Sequence, residues 1–249
     1  MSAQESTSIF DLDHYAKKPE AYLARYDQHF RHLRHRPVRV LELGVFRGGS
    51  MALWQQYFPN GRIAGLDYNQ IGHPELERVK VYHGLQQDTA LLTRIAEEQA
   101  PDGFDIIIDD CSHLAELTRA SFRHLFDNHL VPGGIYVIED WGIGYAPDWP
   151  DGATYQEPEM SPVHPQADAL DNRKVAAGIT YPGMRQFKSH TYGLPGFIKQ
   201  LTDELAHISI NVHRPPDQHL PITIDAITLY VGQAFIRKVH SGMQQAPHA

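Results

Sequence analysis

The stretch Val38–Ser50, VRVLELGVFRGGS, decides the fold of this chain. Its apolar run, Arg39–Leu43, has the composition of a buried strand, and the chain then passes through a glycine-rich turn into a helical pattern. Glycines permit a positive φ and let a ligand approach the backbone closely, so this turn predicts a nucleotide-type binding site. Three residues separate Gly44 from Gly48, which is wider than the G-x-G-x-x-G dinucleotide fingerprint. We therefore expect a ligand without a pyrophosphate.

Further strand-like runs end in acidic residues. FDIIIDD ends at Asp109 and Asp110, GGIYVIED ends at Glu139 and Asp140, and RIAGLD ends at Asp67. In an open parallel sheet, ligands bind outside the carboxyl ends of the strands, where the strand order reverses. These acids and the glycine turn are therefore expected in one crevice.

The rest of the chain predicts a doubly wound α/β fold with a mostly parallel sheet, because strand and helix patterns alternate. The predicted strands are Arg39–Leu43, Arg62–Asp67, Val79–His83, Phe104–Asp109 and Gly134–Glu139, and the predicted helices are Tyr15–Arg34, Ser50–Tyr57, Thr89–Glu98 and Ala115–Asn128. A proline-containing stretch, 141–190, is expected to form a lid loop over the site. A helix at Gly196–Ala206 then precedes an antiparallel edge made of His207–Val212, Ile222–Val231 and Phe235–Lys238.

Composition limits the functional classes. The 249 residues are expected to form a single domain, 1–249, with an N-terminal helical segment at about 10–36. The net charge of −8 and the lack of a basic stripe argue against nucleic acid as a partner. The only cysteine, Cys111, excludes an intramolecular disulfide. Because no signal segment or long apolar run is visible, we expect a cytoplasmic protein without a membrane partner.

Several residues around the glycine turn are candidates for cofactor binding. Asp67, at the end of the second strand, is placed to accept hydrogen bonds from both hydroxyls of a ribose. Gln87 and Asp88 follow the third strand and could read an adenine edge, and Ser50 could cap the helix after the turn. The alternative for the turn is a plain connection between strand and helix.

The acids Asp110, Glu139 and Asp140 predict a metal site. Three converging carboxylates repel one another unless they share a cation, and ligands that are all oxygen favour a hard ion such as Mg²⁺. The alternative is that they cap helices or pair with Arg119 or Arg123.

His113 lies three residues after Asp110 and just before a predicted helix. Positive charge nearby disfavours the imidazolium form, so a histidine beside the metal would be neutral and able to take a proton. The alternative is an ordinary surface histidine, since the chain has 16 of them.

Together, VLELGVFRGGS, Asp67, FDIIIDDCSH and YVIEDW resemble the metal-dependent sugar O-methyltransferases, a group that includes macrolide deoxysugar and mannose or rhamnose O-methyltransferases. The similarity spans about 38–141. It implies a class I, Rossmann-like fold that binds S-adenosylmethionine, with Glu42 and Gly44 at the methionine end. Members often carry an Asp-Lys-Gly segment near the N-terminus; this sequence instead has DLDHYAKKPEAY at 11–22.

For the site, the resemblance implies Asp110, Glu139 and Asp140 as Mg²⁺ ligands and His113 as general base. The wider set of expected cofactor contacts is Glu42, Gly44, Gly48, Ser50, Asp67, Gln87, Asp88 and Asp109. The implied reaction is transfer of a methyl group to a hydroxyl of a sugar or glycosylated small molecule, and we expect a homo-oligomer.

Three alternatives stay open. A non-haem iron hydroxylase of the cephalosporin hydroxylase type would use two histidines and one carboxylate, whereas only His113 lies near the acids in sequence. The glycine spacing argues against a dinucleotide oxidoreductase. A binding module without catalysis would not need three acids and a histidine in one crevice.

Overall fold

The computed structural model describes residues 8–12, 16, 18–69, 77–154, 192–215, 218–219 and 221–241. The described strands form a seven-stranded sheet with the order β3-β2-β1-β4-β5-β7-β6. They are β1 Arg39–Leu43, β2 Arg62–Asp67, β3 Val79–His83, β4 Phe104–Asp109, β5 Leu130–Glu139, β6 Ile224–Leu229 and β7 Gln233–Lys238. Strands β1 to β5 are parallel, and β7 pairs antiparallel with both β5 and β6.

The described helices connect and cover these strands. They are α1 Ile9–Leu12, α2 Glu20–Phe30, α3 Gly49–Tyr57, α4 Thr89–Gln99, α5 Ala115–Asn128, α6 Pro150–Ala153 and α7 Gly193–Ile208. Short 3-10 turns lie at Arg31–Leu33, Trp141–Tyr145 and Ser209–His213. In the described part of the chain, every helix is too short or too polar to cross a membrane.

The sheet separates two hydrophobic cores. Because side chains alternate between the two faces of a strand, Val40 packs into one core and Leu41 into the other. Helices α4, α5 and α7 cover the face of Leu41, whereas α2 and α3 cover the face of Val40. The strand order reverses between β1 and β4, so the carboxyl ends of these two strands border the ligand crevice expected for such a sheet.

The predicted fold class is confirmed, and so are the bounds of β1, β2, β3, β4 and α5. The predicted strand His207–Val212 is wrong, because these residues continue α7 as a 3-10 turn. The alternating apolar residues there resemble a strand, but no glycine or proline separates them from the helix. The antiparallel edge is instead formed by β6 and β7, which pair with each other and join the sheet through β5.

Two smaller differences concern helix ends. The N-terminal helix occupies Glu20–Phe30 rather than Tyr15–Arg34, since Pro19 precedes its first turn. Ser50 does not cap α3, because the cap position is Gly48, in the left-handed conformation, and the helix begins at Gly49. The proposed lid, 141–190, starts with a 3-10 turn and α6, but 155–190 lie outside the described residues.

Candidate active site

The glycine turn after β1 lies directly against the end of β4. The N–H of Gly44 donates to Leu66 O at 2.8 Å, and the N–H of Asp110 donates to Leu43 O at 2.9 Å. Gly44 has φ 90°, and a Cβ at this position would overlap the carbonyl group of Asp110. Only glycine can bring the two strand ends this close. The turn and the acid-bearing edge therefore form one continuous surface.

Asp67 organises the turn from the end of β2. Its Oδ2 accepts hydrogen bonds from the N–H groups of Val45 and Phe46 at 3.0 and 2.9 Å, and its Oδ1 accepts one from Asn69 at 2.8 Å. A carboxylate has about four acceptor positions, so one of them, on Oδ1, remains for a ligand hydroxyl. Phe46, whose N–H binds this carboxylate, and Tyr68, which follows Asp67 in sequence, both have exposed rings. The ribose-binding role of Asp67 stays a prediction.

The residues that follow β3 have different environments. Asp88 is the N-cap of α4, where its carboxylate accepts from Leu91 N at 3.0 Å, and Gln87 is half-buried beside it. The buried neighbour Gln86 instead accepts from Ser112 N at 3.1 Å. Gln86 thereby links the end of β3 to the loop after β4, a contact that the sequence analysis did not predict.

Asp109 points into the protein rather than into the crevice. Its carboxylate accepts hydrogen bonds from Tyr136 Oη at 3.1 Å and from Ser121 Oγ at 3.2 Å, and only 2% of the residue is exposed. Burial raises the pKa of this carboxyl to about 6, although the Tyr136 hydrogen bond lowers it. Asp109 therefore anchors β4 to α5 and β5.

Asp110, His113 and Asp140 form a group whose potential ligand atoms all lie within 4.8 Å of one another. His113 Nε2 is 3.8 Å from Asp110 Oδ1 and 3.9 Å from Asp140 Oδ2. Both His113 and Asp140 have positive φ, 53° and 51°, so the backbone is held in an uncommon conformation at both positions. We name this group the outer cluster. Two carboxylates and an imidazole in this arrangement can bind a divalent cation.

A second, buried group lies behind the outer cluster, and its centre is Lys18. Its Nζ donates to Glu139 Oε1 at 2.8 Å and to Asp110 Oδ2 at 2.9 Å, and it lies 3.7 Å from Glu42 Oε1. Only 7% of the Lys18 side chain is exposed. We name Lys18 with these three acids the inner cluster. Asp110 belongs to both clusters, because one oxygen faces Lys18 and the other faces His113.

The charges of the inner cluster shift each other's pKa values. Burial alone would lower the pKa of Lys18, but attraction to Glu139, Asp110 and Glu42 outweighs it and raises that pKa well above the ordinary value. Burial raises the pKa of Glu42 to about 7 against the opposing effect of Lys18. Burial also raises the pKa of Glu139. The Lys18 ammonium group opposes the effect of burial on both acids without cancelling it.

Two tyrosines of α2 support the acids from the same side as Lys18. Tyr22 Oη donates to Asp140 Oδ1 at 2.6 Å, and Tyr26 Oη donates to Glu139 Oε1. Asp140 therefore also has one oxygen bound by the N-terminal region and the other turned toward His113. The sequence analysis did not predict these contacts; a lysine and two tyrosines at 18, 22 and 26, four residues apart, were the available signal.

A cleft of about 360 Å³ joins the glycine turn to the acids. Its walls include Lys18, Tyr22, Gly44, Ser50, Asp110, Glu139 and Asp140. Glu42 is fully buried next to this cleft: its Oε1 lies 3.7 Å from Nζ of the wall residue Lys18, and its Oε2 accepts from Trp54 Nε1 at 2.9 Å. The structure brings many of the predicted site residues to this cleft or next to it: Glu42, Gly44, Gly48, Ser50, Asp110, Glu139 and Asp140. His113 joins them because its Nε2 lies 3.8 Å from Asp110.

Comparison with known proteins agrees with this geometry. No family model matches the chain. Over 136 residues it is 45% identical to 8-demethyl-8-(2-methoxy-alpha-L-rhamnosyl)-tetracenomycin-C 3'-O-methyltransferase of Streptomyces olivaceus, covering 52% of this chain and 34% of that protein. It is 43% identical to mycinamicin VI 2''-O-methyltransferase of Micromonospora griseorubida over 143 residues, covering 55% of this chain and 35% of that protein. The chain therefore matches about a third of the length of these relatives.

Among solved structures, the chain is similar to the MycE methyltransferase from the mycinamycin biosynthetic pathway in complex with Mg and SAH. The TM-score is 0.69 at 30% identity, and the match covers 94% of this chain and 55% of that one. A second MycE structure, which also contains mycinamycin VI, has the same TM-score at 29% identity and covers 98% of this chain and 57% of that one. The resemblance predicted from the motifs is confirmed: the chain has the class I methyltransferase fold and is related to sugar O-methyltransferases.

Proposed function

We propose that this chain transfers a methyl group from S-adenosylmethionine to a hydroxyl group of a sugar or glycosylated small molecule, with Mg²⁺ and His113. The proposal rests on one observation: Asp110 of the outer cluster packs against the Gly44 turn, and this contact lies between β1 and β4, where the strand order reverses. Similarity to the two curated relatives supports it, because their names describe O-methyltransferases that act on a rhamnosyl-tetracenomycin and on mycinamicin VI.

The cofactor would bind along the glycine turn. The cleft that Gly44 and Ser50 line is open to a ligand, and the wall residue Lys18 connects it to buried Glu42, whose Oε1 lies 3.7 Å from Lys18 Nζ. Asp67 would accept a hydrogen bond from a ribose hydroxyl while it holds the turn in shape. Gly48 allows the turn to enter α3. Gln87 and Asp88 stay proposed contacts, although the Asp88 carboxylate also caps α4. Asp109 is not proposed as a contact, because its buried carboxylate is bonded by Tyr136 and Ser121.

The metal would bind at the acids. Asp110 and Asp140 each have one carboxylate oxygen on the side of His113. We propose these two residues and Glu139 as ligands, as the resemblance implies. Carboxylate oxygens fit a hard ion such as Mg²⁺. Bound there, the ion supplies Lewis-acid stabilisation of the negative charge that develops on the acceptor oxygen.

His113 is proposed as the general base. A sugar hydroxyl is a weak nucleophile, so removing its proton during methyl transfer lowers the barrier. The imidazole is largely buried, with 15% of its side chain exposed, and its ring lies 6.1 Å from the ring of Trp149. Nε2 lies 3.8 Å from Asp110 and 3.9 Å from Asp140, so the imidazole is at the edge of the proposed metal site, where an acceptor hydroxyl would lie. Trp149 would help to exclude water.

The hydroxylase alternative is not supported. A facial triad needs two histidines and one carboxylate. Among the described residues, the clustered group contains one histidine, His113, and two carboxylates. The acceptor, a homo-oligomeric state, a cytoplasmic location, a single domain and a lid over the site stay predictions.

The deciding experiment is a methyl-transfer assay with isotopically labelled S-adenosylmethionine and a panel of rhamnosides, olivosides and free sugars. We expect a product that carries the labelled methyl group on an oxygen, formed with Mg²⁺ and not with excess EDTA. Asp140→Asn is the matched inactive variant, because it keeps the shape of the side chain. Oxygen consumption with Fe²⁺ and a hydroxylated product would contradict the proposal.

A further inference from the structure

Lys18 is the one described side-chain cation in contact with the acids Glu42, Asp110 and Glu139 together. It lies in the segment before α2, and Pro19 directly follows it at the N-cap of that helix. Its ammonium group is within hydrogen-bond distance of Asp110 and Glu139, two of the three proposed metal ligands. A divalent ion and this ammonium group would therefore meet the same carboxylates.

The positive charge of Lys18 affects both the stability of the buried carboxylates and the binding of a divalent ion. Glu42 and Glu139 are both almost fully buried, and buried carboxylates are costly unless a cation compensates them. Lys18 supplies one positive charge permanently, since it is part of the chain. A divalent ion that arrives is repelled by this charge, and at separations of a few ångströms inside a protein such repulsion is not screened by salt.

We propose that Lys18 is a built-in counter-cation that shares Asp110 and Glu139 with the divalent ion and sets the affinity of the site for it. This inference rests on the proposed function, because it takes the divalent ion to bind at these acids. Lys18 is a positioning residue: it neutralises the inner cluster and turns the second oxygen of Asp110 toward His113. It also ties the start of α2 to the active site, so the ion and the N-terminal region compete for the same carboxylates.

The test is a calorimetric titration of the purified full chain with Mg²⁺, without cofactor or acceptor. Lys18→Met should bind Mg²⁺ at least tenfold more tightly than the unmodified chain, since the competing charge is gone. In EDTA the same variant should melt at a lower temperature, and Mg²⁺ should raise its melting temperature by more than it raises that of the unmodified chain. Lys18→Arg, which keeps the charge, should have a Mg²⁺ affinity and a melting temperature in EDTA close to those of the unmodified chain.

Two further variants separate charge from shape. Lys18→Met combined with Glu42→Gln keeps the net charge of the inner cluster and leaves all three proposed metal ligands in place, so its Mg²⁺ affinity should return toward that of the unmodified chain. If Lys18→Met alone does not fold, Lys18→Gln, which keeps a hydrogen-bonding group without the charge, takes its place and should show the same tighter Mg²⁺ binding. Lys80→Met is the control, because Lys80 pairs with the exposed Glu98 at 2.5 Å; it should leave Mg²⁺ affinity unchanged.

The possible failures are distinguishable. If the unmodified chain binds Mg²⁺ and Lys18→Met binds it equally or more weakly, the inference is overturned while the proposed metal site stands. If neither protein binds Mg²⁺, the metal site itself is wrong and the inference falls with it. A lower melting temperature without a change in Mg²⁺ affinity would show that Lys18 is merely structural.

Discussion

Gly44 lies against the carbonyl group of Asp110 so closely that a side chain at Gly44 would overlap it. This contact joins the turn proposed to hold the cofactor to the strand end proposed to hold the metal. A methyl-transfer enzyme must hold donor and acceptor in line at a short distance, and such alignment supplies much of the rate enhancement. The spacing between the two parts of this site is therefore fixed by backbone packing rather than by long side chains.

Gly44→Ala should disrupt the site and weaken the fold. The positive φ of 90° alone would cost roughly 1–3 kcal/mol for a residue with a Cβ, and the overlapping backbone of Asp110 has little freedom to move. We expect a lower melting temperature and loss of adenosylhomocysteine binding, measured by thermal denaturation and calorimetry. Gly142→Ala is the control, since a Cβ there meets nothing within 4 Å, and it should leave both properties unchanged. Normal cofactor binding by Gly44→Ala would contradict this role of the turn.

Asp67→Ala should weaken adenosylhomocysteine binding by about 1.5–3 kcal/mol, the range for a hydrogen bond to a charged group. The loss has two sources, because Asp67 would bind the ribose and also holds the N–H groups of Val45 and Phe46. Calorimetry should show this loss, and it should show no binding of NADH to the unmodified chain. Tight NADH binding would argue for an oxidoreductase instead.

Removal of the metal should separate turnover from cofactor binding. Excess EDTA should abolish methyl transfer and added Mg²⁺ should restore it, whereas adenosylhomocysteine should still bind, because Asp67 and the glycine turn do not depend on the ion. Asp140→Asn should raise the dissociation constant for Mg²⁺, since one oxygen of Asp140 faces the outer cluster. Full activity in excess EDTA would refute the metal site.

Much of the fold could be predicted from the sequence because its signals are local. Continuous apolar runs such as Ile106–Ile108 are typical of strands buried on both faces, and acids or glycines mark where they end. The failure at His207–Val212 has the same origin: an alternating apolar pattern predicts a strand, but whether it joins the sheet depends on packing, and here β7 already occupies the place beside β5.

The candidate site could be predicted only in part. The acids after β4 and β5 follow from strand ends, which are visible in sequence. The contacts of Lys18 do not, because it lies 92 positions from Asp110 and 121 from Glu139, and its spacing from Tyr22 and Tyr26 does not identify these partners. The inward orientation of Asp109 also depends on distant partners, Tyr136 and Ser121, that become visible only once the sheet is assembled.

Cys111 should react slowly with thiol reagents in the native protein. Burial, together with the negative charges of Asp109, Asp67 and Asp110, raises the pKa of this thiol to about 12. The thiol therefore stays protonated at pH 8, and only the thiolate is a good nucleophile. Alkylation with iodoacetamide in the presence of EDTA, followed by mass spectrometry, should show little modification until guanidinium unfolds the chain. Since Cys111 is the only cysteine, the signal has a single source, and rapid labelling of the native protein would contradict the prediction.

The role of His113 can be tested without disturbing its backbone. Its φ of 53° lies in the left-handed region, which asparagine tolerates better than most residues, so His113→Asn removes the imidazole at little cost in strain. If the imidazole takes the acceptor's proton, kcat should fall by about 10²–10⁴-fold. Affinity for adenosylhomocysteine and the melting temperature should stay close to those of the unmodified chain.

The comparison variant is His113→Gln, which keeps much of the side-chain size and hydrogen-bonding capacity but cannot accept a proton at neutral pH. A base requires imidazole, so the glutamine variant should be as inactive as the asparagine variant in steady-state kinetics. A structural histidine predicts the opposite result, with turnover restored in His113→Gln and stability lost in His113→Asn. Full activity of the glutamine variant would remove His113 from the mechanism and leave a carboxylate, Asp110 or Asp140, as the proton acceptor, because these groups face the same space.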